Sequence, residues 1–141
     1  MPTSTVEDYL KCIYFEARNT PGELVATGRI ASAMNVAPGT VTAMMKTLTE
    51  SGLIHYEPYA GVSLTDPGRK LAAHVLRRHR LIELFLVQIM GMDWSQVHQE
   101  AEVLEHAVSD GLIERMDEML GYPVVDPPGQ VGYGAGLDLE H

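Results

Sequence analysis

Six side chains of the types that bind metal ions stand at helical spacing in the second half of the chain. Two are four positions apart, and the other four fall between positions 98 and 106; they are His79, Glu83, His98, Glu102, Glu105 and His106. On a helix that turns about 100° per residue, the last four side chains occupy a stripe about 100° wide. His79 and Glu83 likewise share one helix face.

This mixture of imidazoles and carboxylates indicates a particular chemistry. Crowded carboxylates repel one another unless a cation or a proton neutralises them. Imidazole nitrogen together with carboxylate oxygen suits Mn²⁺, Fe²⁺, Zn²⁺ or Ni²⁺, and the absence of a thiolate from the stripe argues against a structural zinc site. The alternative is a solvated acidic face with incidental histidines. The whole set, beside a run of apolar positions, favours a metal site.

The same residues do not form a pattern typical of an enzyme. The sequence contains no His-Glu-x-x-His motif, no phosphate-binding glycine loop and no arrangement for a serine or cysteine nucleophile. A di-iron carboxylate bundle needs Glu-x-x-His on two helices, whereas here the spacing is Glu102-x-x-x-His106. We therefore expect a metal-binding protein that is not an enzyme.

The elements that must position these side chains follow from the spacing of apolar residues. Helical spacing predicts six helices: 6–17, 27–34, 38–51, 66–91, 95–108 and 113–120. Two β-prone runs around a glycine-containing turn predict a hairpin before the fourth helix: 53–57 and 62–65. Three short helices followed by a hairpin indicate a mainly α fold with an N-terminal winged helix-turn-helix and a helical second domain.

Charge is distributed unevenly along the chain. The formal net charge of −9 argues at first against a nucleic-acid partner. Residues 1–80, however, hold nine basic and seven acidic residues, a net of +2, whereas residues 81–141 hold one basic and twelve acidic residues, a net of −11. The mean charge therefore does not exclude DNA binding by the first half.

The second helix of a helix-turn-helix enters the major groove and contacts base edges with its N-terminal residues. We predict that the DNA-contacting residues lie at the start of the third helix and on the helix before it: Thr27, Arg29, Pro38, Gly39, Thr40, Thr42 and Lys46. Threonine hydroxyls can donate to phosphates or bases, and their methyl groups can contact thymine. With so few basic side chains, one copy would bind weakly, so we expect a homodimer.

Five segments resemble the diphtheria-toxin-repressor / manganese-transport-regulator family of metal-dependent transcription factors: 6–14, 38–42, 64–68, 78–83 and 102–106. The resemblance implies homodimeric repressors whose metals lie between the DNA-binding half and the dimerisation helices. We accordingly divide the chain into a winged helix-turn-helix domain (1–73) and a helical dimerisation and metal-binding domain (74–121). From residue 122 proline and glycine dominate and periodicity ends, so 122–141 is expected to be a tail or linker, and its last three residues resemble an affinity tag.

The resemblance also implies which residues hold the metals. It adds Asp8 on the first helix to Glu102, Glu105 and His106 as one core site, with His79 near it or shared. His79, Glu83 and His98 match an ancillary site of the iron-responsive branch. That branch has Met and Cys where this chain has Asp8 and Glu102, so the hard oxygen ligands favour Mn²⁺, with Fe²⁺ as the alternative and other divalent transition metals as substitutes. Lys11 stands where the manganese branch has a glutamate ligand, so we expect one core site and a separate ancillary site.

We therefore expect a cytoplasmic, metal-dependent repressor that binds a palindromic double-stranded DNA operator and controls metal-uptake genes with Mn²⁺ as corepressor. One cysteine, Cys12, permits no disulfide within the chain, and no secretory or membrane-spanning segment is apparent. The alternative is a winged-helix regulator that responds to a small ligand or a partner protein. Uptake of Mn²⁺ in equilibrium dialysis separates the two.

Overall fold

A computed structural model describes residues 3–22 and 24–124 of the chain. The elements within that part are, in chain order, α1 (Ser4–Asn19), α2 (Thr27–Met34), α3 (Pro38–Glu50), β1 (Ile54–Glu57), β2 (Gly61–Leu64), α4 (Asp66–Gln88), α5 (Trp94–Leu104) and α6 (Asp110–Met119). The mainly helical winged fold predicted from the sequence is confirmed. Most of the predicted tail, 125–141, lies outside the described residues.

Contacts divide the chain between Ala73 and His74 into two units, called here the N-terminal unit and the C-terminal unit. The N-terminal unit holds α1–α3, the hairpin and the start of α4. Its core is formed by apolar side chains from all of these elements, among them Leu10, Ile13, Ile30, Val41, Met45, Leu48 and Val62. No helix in the described part of the chain is long and apolar enough to cross a membrane.

The turn between α2 and α3 sets the start of the third helix. Asn35 ends α2 in the left-handed conformation (φ 57°, ψ 50°), which asparagine tolerates better than most residues. Pro38 occupies the first turn of α3, where its missing N–H has no intrahelical partner to lose. The end of α2 and the start of α3 are therefore set by two residues whose backbone preferences suit their positions.

The hairpin is antiparallel, with Ile54 opposite Leu64 and Glu57 opposite Gly61. A third segment pairs with it, because Val25 N–H donates to the Val62 carbonyl (2.8 Å) and Val62 N–H donates to the Val25 carbonyl (2.9 Å). Gly61 has φ +137°, and a Cβ there would lie 2.5 Å from the Val25 oxygen. Only glycine lets the strand approach so closely.

A hydrogen-bonded joint connects the end of the hairpin to α4. The Thr65 hydroxyl donates to the Gly52 carbonyl (2.7 Å) and accepts from the Gly68 N–H (3.1 Å). Leu53 packs its backbone against Gly68 so closely that a Cβ on residue 68 would lie 1.9 Å from the Leu53 oxygen. The chain segment after α3 and the first turn of α4 therefore form one packed joint.

The C-terminal unit is built from α4, α5 and α6 around its own apolar cluster, which contains Leu81, Ile82, Leu86, Val97, Ala101, Val108 and Ile113. The prediction that one helix continues through 105–108 is wrong, since α5 ends at Leu104. Glu105 is the C-cap, still in the right-handed helical region (φ −60°, ψ −27°), and residues 105–107 form a turn. The Ser109 hydroxyl then accepts from the Leu112 N–H and begins α6.

Candidate metal centre and nucleic-acid interface

His79 lies at the middle of the candidate metal centre. It stands one turn before Glu83 on α4, and its Nε2 is 3.2 Å from Glu83 Oε2. Both side chains are buried, with 1% and 4% of their surface exposed. The spacing of four residues therefore places an imidazole and a carboxylate together inside the C-terminal unit.

Glu105 meets the other side of the same imidazole. It leaves the end of α5 and its Oε1 hydrogen-bonds to His79 Nδ1, with its side chain 1% exposed. Both ring nitrogens of His79 thus face carboxylates that are screened from water. Burial of two carboxylates is unfavourable unless positive charge lies beside them.

Two residues of α5 extend the cluster towards solvent. His98 Nδ1 is 3.2 Å from Glu83 Oε2 and 3.3 Å from His79 Nε2. His98 Nε2 is 3.6 Å from Glu102 Oε1, one turn further along α5. Both of these side chains are about half exposed, so the cluster has a buried floor and an open outer side.

These residues form two overlapping groups of donor atoms. His79, Glu83 and His98 can each offer one ligand atom within 4.8 Å of the others, and so can His79, Glu102 and Glu105. His79 belongs to both groups. His106 lies beside the second group, with Nε2 3.6 Å from Glu105 Oε2.

One buried carboxylate oxygen of the cluster favours the binding of a cation. Glu83 Oε1 is inaccessible to water and has no hydrogen-bond partner within the part of the chain that the structure describes. Buried carboxylate oxygens are normally satisfied by a donor or a metal. The imidazole and carboxylate donors therefore fit a divalent transition metal, which would supply the missing partner.

The charge state of His79 responds to the same surroundings. Burial alone would lower the pKa of its imidazole, but the hydrogen bonds from the ring to Glu105 and Glu83, and the charges of these two carboxylates, raise that pKa to about 9. In the metal-free protein the ring is accordingly an imidazolium at neutral pH. A metal cation would take over the role of this proton.

Of the seven predicted metal-site residues, six meet in the C-terminal unit. Asp8 lies on α1 in the N-terminal unit, where its Oδ1 is 3.7 Å from Lys11 Nζ one turn away. Its participation in the metal site stays a prediction.

Arg78 is a residue of the cluster that the sequence reasoning did not identify. Its guanidinium donates to the backbone carbonyl of Glu105 (2.9 Å) and to that of Val108, and pairs with Asp110 (2.6 Å). Only 13% of its side chain is exposed. Arg78 therefore fixes the turn that carries Glu105. Its position directly before His79 was the available signal, but a basic residue on a long helix gives no indication of its partner.

The candidate DNA-binding residues lie at the surface of the helix-turn-helix. Pro38, Gly39, Thr40 and Lys46 are exposed on α3. Thr42 is half-buried, and its hydroxyl donates to the Pro38 carbonyl at 3.2 Å. Thr40 and Lys46 therefore present polar groups to solvent from the predicted recognition helix.

The preceding helix presents the remaining two. Thr27 is the first residue of α2 and is half-buried. Arg29 is exposed and its Nε is 3.1 Å from Glu16 Oε1. Tyr59, at the tip of the hairpin, is fully exposed and has φ +69°.

Two family descriptions match consecutive parts of the sequence. Residues 1–62 match "Iron dependent repressor, N-terminal DNA binding domain". Residues 65–132 match "Iron dependent repressor, metal binding and dimerisation domain". The second description covers the helices that carry the six clustered residues.

Individual relatives agree with these descriptions. The "HTH-type transcriptional regulator MntR" of Lysinibacillus sphaericus is 35% identical over 120 residues, which are 85% of this chain and 84% of that protein. The crystal structure of ScaR with bound Zn²⁺ is 44% identical, with a TM-score of 0.75, over 90% of this chain and 57% of that one. A manganese-dependent transcriptional repressor in complex with manganese is 42% identical, with a TM-score of 0.76, over 90% of this chain and 60% of that one. This chain thus spans less than two thirds of each of these two solved chains.

Proposed function

The chain belongs to the iron-dependent repressor family of metal-dependent transcriptional regulators, and we propose that Mn²⁺ is the corepressor through which it controls metal-uptake genes. The family resemblance predicted from the sequence is confirmed. The two domain descriptions support DNA and a second copy of the chain as partners, and a divalent metal as the cofactor. The choice of Mn²⁺ over Fe²⁺, the palindromic operator, the regulated genes and the cytoplasmic location are parts of the proposal.

The observation that carries the proposal is the buried cluster around His79. Its donors are imidazole nitrogens and carboxylate oxygens, and the described part of the cluster contains no sulfur ligand. Hard oxygen donors favour Mn²⁺ relative to softer sites, although Fe²⁺ and other divalent metals can occupy such ligands. Manganese is also the metal named for one of the similar repressor structures.

We assign the ligands to two sites. His79, Glu83 and His98 would hold one ion, and Glu102, Glu105 and His106 would contribute to the other. The family resemblance adds Asp8 to the second set. A bound cation supplies positive charge that offsets the repulsion among these carboxylates.

The residues of this chain then determine how metal binding favours DNA binding. Arg78 holds the Glu105 turn, and His79 holds the Glu105 side chain. A cation stabilises the DNA-competent arrangement only to the extent that these ligands fit it better in that arrangement than in others. In a homodimer, two α3 helices would read successive half-sites with Pro38, Gly39, Thr40 and Thr42, while Thr27, Arg29 and Lys46 contact the backbone.

Operator binding with and without Mn²⁺ tests the proposal. Genomic fragments selected by the Mn²⁺-loaded protein serve as operator DNA, and binding is compared for the wild type, Glu102→Ala and the control Glu100→Ala. Glu100 is exposed on the same helix and belongs to neither donor group. We expect Mn²⁺ to strengthen binding by the wild type and the control but much less by Glu102→Ala. Equal metal dependence in all three would reject Glu102 as a ligand, and no stoichiometric Mn²⁺ uptake by the wild type would reject the metal mechanism.

A further inference from the structure

The N-terminal unit contains a cavity of about 550 Å³. It is lined by residues from α1, the α1–α2 connection, β2 and the start of α4: Tyr14, Ala17, Arg18, Gly22, Leu24, Val62, Ser63, Leu64 and Arg69. None of these residues belongs to the metal cluster or to α3. The volume lies in the range of about 300–1,000 Å³ that is common for small-molecule sites.

The lining combines an apolar surface with two guanidinium groups. Ala17, Leu24, Val62 and Leu64 supply the apolar part, and the latter two are buried in the core of the unit. Among the described lining residues there are two arginines and no carboxylate. Arg18 therefore places positive charge beside the apolar surface, and Arg69 adds a second guanidinium group, which pairs with Asp66.

Both arginines can engage a ligand. Arg18 stacks over the Phe15 ring, with its Cζ 5.6 Å from the ring centroid, and makes no ion pair with another residue in the part of the chain that is described. Arg69 pairs with Asp66 at 3.0 Å, but both side chains are largely exposed, so this pair contributes little and is easily exchanged for another anion. The lining residues Tyr14 and Ser63 add hydroxyl groups.

We propose that this cavity binds a small amphipathic carboxylate, whose anionic group pairs with Arg18 and Arg69 and whose apolar body lies against Ala17, Leu24 and Leu64. Planar guanidinium groups suit carboxylates because they can donate two parallel hydrogen bonds. The apolar floor disfavours inorganic phosphate, which has no apolar part to bury. The site is separate from the proposed metal response and does not depend on it.

Occupation of the cavity would act on the wing. Leu24 directly precedes Val25, whose backbone pairs with Val62 of β2. A ligand held between α1 and these residues would tie the hairpin to the first helix. The DNA-binding unit would then carry a second input besides the metal.

Nuclear magnetic resonance titration of the full chain with benzoate and hexanoate tests this proposal, with benzamide and hexanamide as neutral counterparts. We expect saturable shifts in the lining residues with the carboxylates and binding at least about tenfold weaker with the amides, since a charge-assisted hydrogen bond contributes at least this factor. The double variant Arg18→Gln/Arg69→Gln should lose about tenfold or more in affinity. The control Arg115→Gln changes an exposed arginine that pairs with Glu118 on α6 and should bind like the wild type.

A second variant tests the cavity without removing any charge, so its result does not depend on whether the double variant folds correctly. Ala17→Leu fills the cavity while both arginines remain, and it should weaken binding of both carboxylates. Equal binding of amides and carboxylates, unchanged binding in either variant, or no saturable shift in the wild type would overturn the proposal. It would also be overturned if the double variant bound DNA more weakly, with a shallower salt dependence, while the carboxylates bound nowhere. The arginines would then be contacts to the DNA backbone.

Discussion

Arg78 and Glu105 lie 27 positions apart in the sequence, yet the guanidinium of the first holds the backbone carbonyl of the second. His79, the next residue on α4, hydrogen-bonds to the side chain of the same glutamate. Two consecutive residues of one helix therefore fix both the backbone and the carboxylate of Glu105. This proposed ligand, where the chain turns at the end of α5, is thus held through both its backbone and its side chain.

Arg78→Gln should weaken Mn²⁺ binding although Arg78 is not a proposed ligand. Residues that orient metal ligands typically change metal affinity by about 10–100-fold when they are replaced, and we expect an effect in that range here. Isothermal titration calorimetry with Mn²⁺ measures it. Arg77→Gln is the matched control, because Arg77 lies beside it and pairs with Asp117 on α6 at 3.2 Å. Equal Mn²⁺ affinities of the two variants would show that Arg78 does not position a metal ligand.

Glu83→Gln should separate the two proposed sites. The substitution keeps the shape of the side chain but removes the charge shared by His79 and His98, so one bound ion should be lost while the Glu105 group retains the other. Glu105→Gln should instead remove the second ion and weaken the first, because it also contacts His79. Anomalous scattering from crystals of each variant grown with Mn²⁺ counts the ions directly. Two ions in the Glu83→Gln crystals would contradict the assignment.

The metal-free protein should lose stability as the pH rises through the upper neutral range. The pKa of His79 is raised to about 9 in the folded chain from 6.5, so the stabilisation from its protonated form is complete below about pH 6.5 and disappears as the pH passes about 9. Denaturant unfolding in the presence of a chelator measures this slope. His79→Gln should flatten it, whereas His55→Gln, on an exposed position of β1, should not. A slope that survives in His79→Gln must come from another group.

Lys46→Gln should weaken operator binding to a similar degree for all sequences. A lysine that neutralises one phosphate contributes about one unit to the slope of log affinity against log salt concentration, so that slope should fall by about one per protomer. Fluorescence anisotropy at several salt concentrations provides the measurement. Lys70→Gln makes the same charge change at an exposed position of α4, which is not predicted to contact DNA, and serves as the control. Identical salt slopes for both variants would show that Lys46 does not contact the backbone.

Gly68→Ala should destabilise the N-terminal unit strongly. A Cβ at residue 68 would lie 1.9 Å from the Leu53 oxygen, and relief of this overlap requires the joint between the hairpin and α4 to open. Forced overpacking of this kind costs about 1–3 kcal/mol, and we expect at least the upper value because the clash is with backbone. Gly28→Ala is the control: nothing lies within 4 Å of a Cβ there, and alanine should stabilise α2 by about 0.5–1 kcal/mol. Thermal unfolding measures both effects: the unfolding temperature should fall in Gly68→Ala and should not fall in Gly28→Ala.

The local sequence was sufficient to predict the helices, the hairpin and their order. Each of these elements depends on the spacing of apolar residues and on helix-ending or turn-forming residues within a short segment. Pro38, Asn35 and Gly61 are examples in which the residue type suits the observed backbone. The pairing of His79 with Glu83 was also predictable, since both stand on α4. The helix period does not tell where a helix stops, however, so the continuation of α5 past Leu104 was predicted wrongly.

Long-range contacts were beyond the reach of such patterns. The meeting of His79 with Glu105 depends on how α4 and the end of α5 pack, and no spacing within either segment encodes it. The same holds for Arg78, whose partners lie 27 to 32 positions away. The cavity beside Arg18 and Arg69 likewise arises only when four separate segments come together.

The backbone pairing of Val25 with Val62 has a consequence for how the chain folds during its synthesis. The two residues lie far apart in sequence, and such non-local contacts form slowly because a long loop must close first. The contacts among helices α1 to α3 join segments that are close in sequence, so these contacts need only short loops to close. The wing can dock only after residue 62 has emerged, and the core of the N-terminal unit is complete only once Ala72 on α4 has emerged as well.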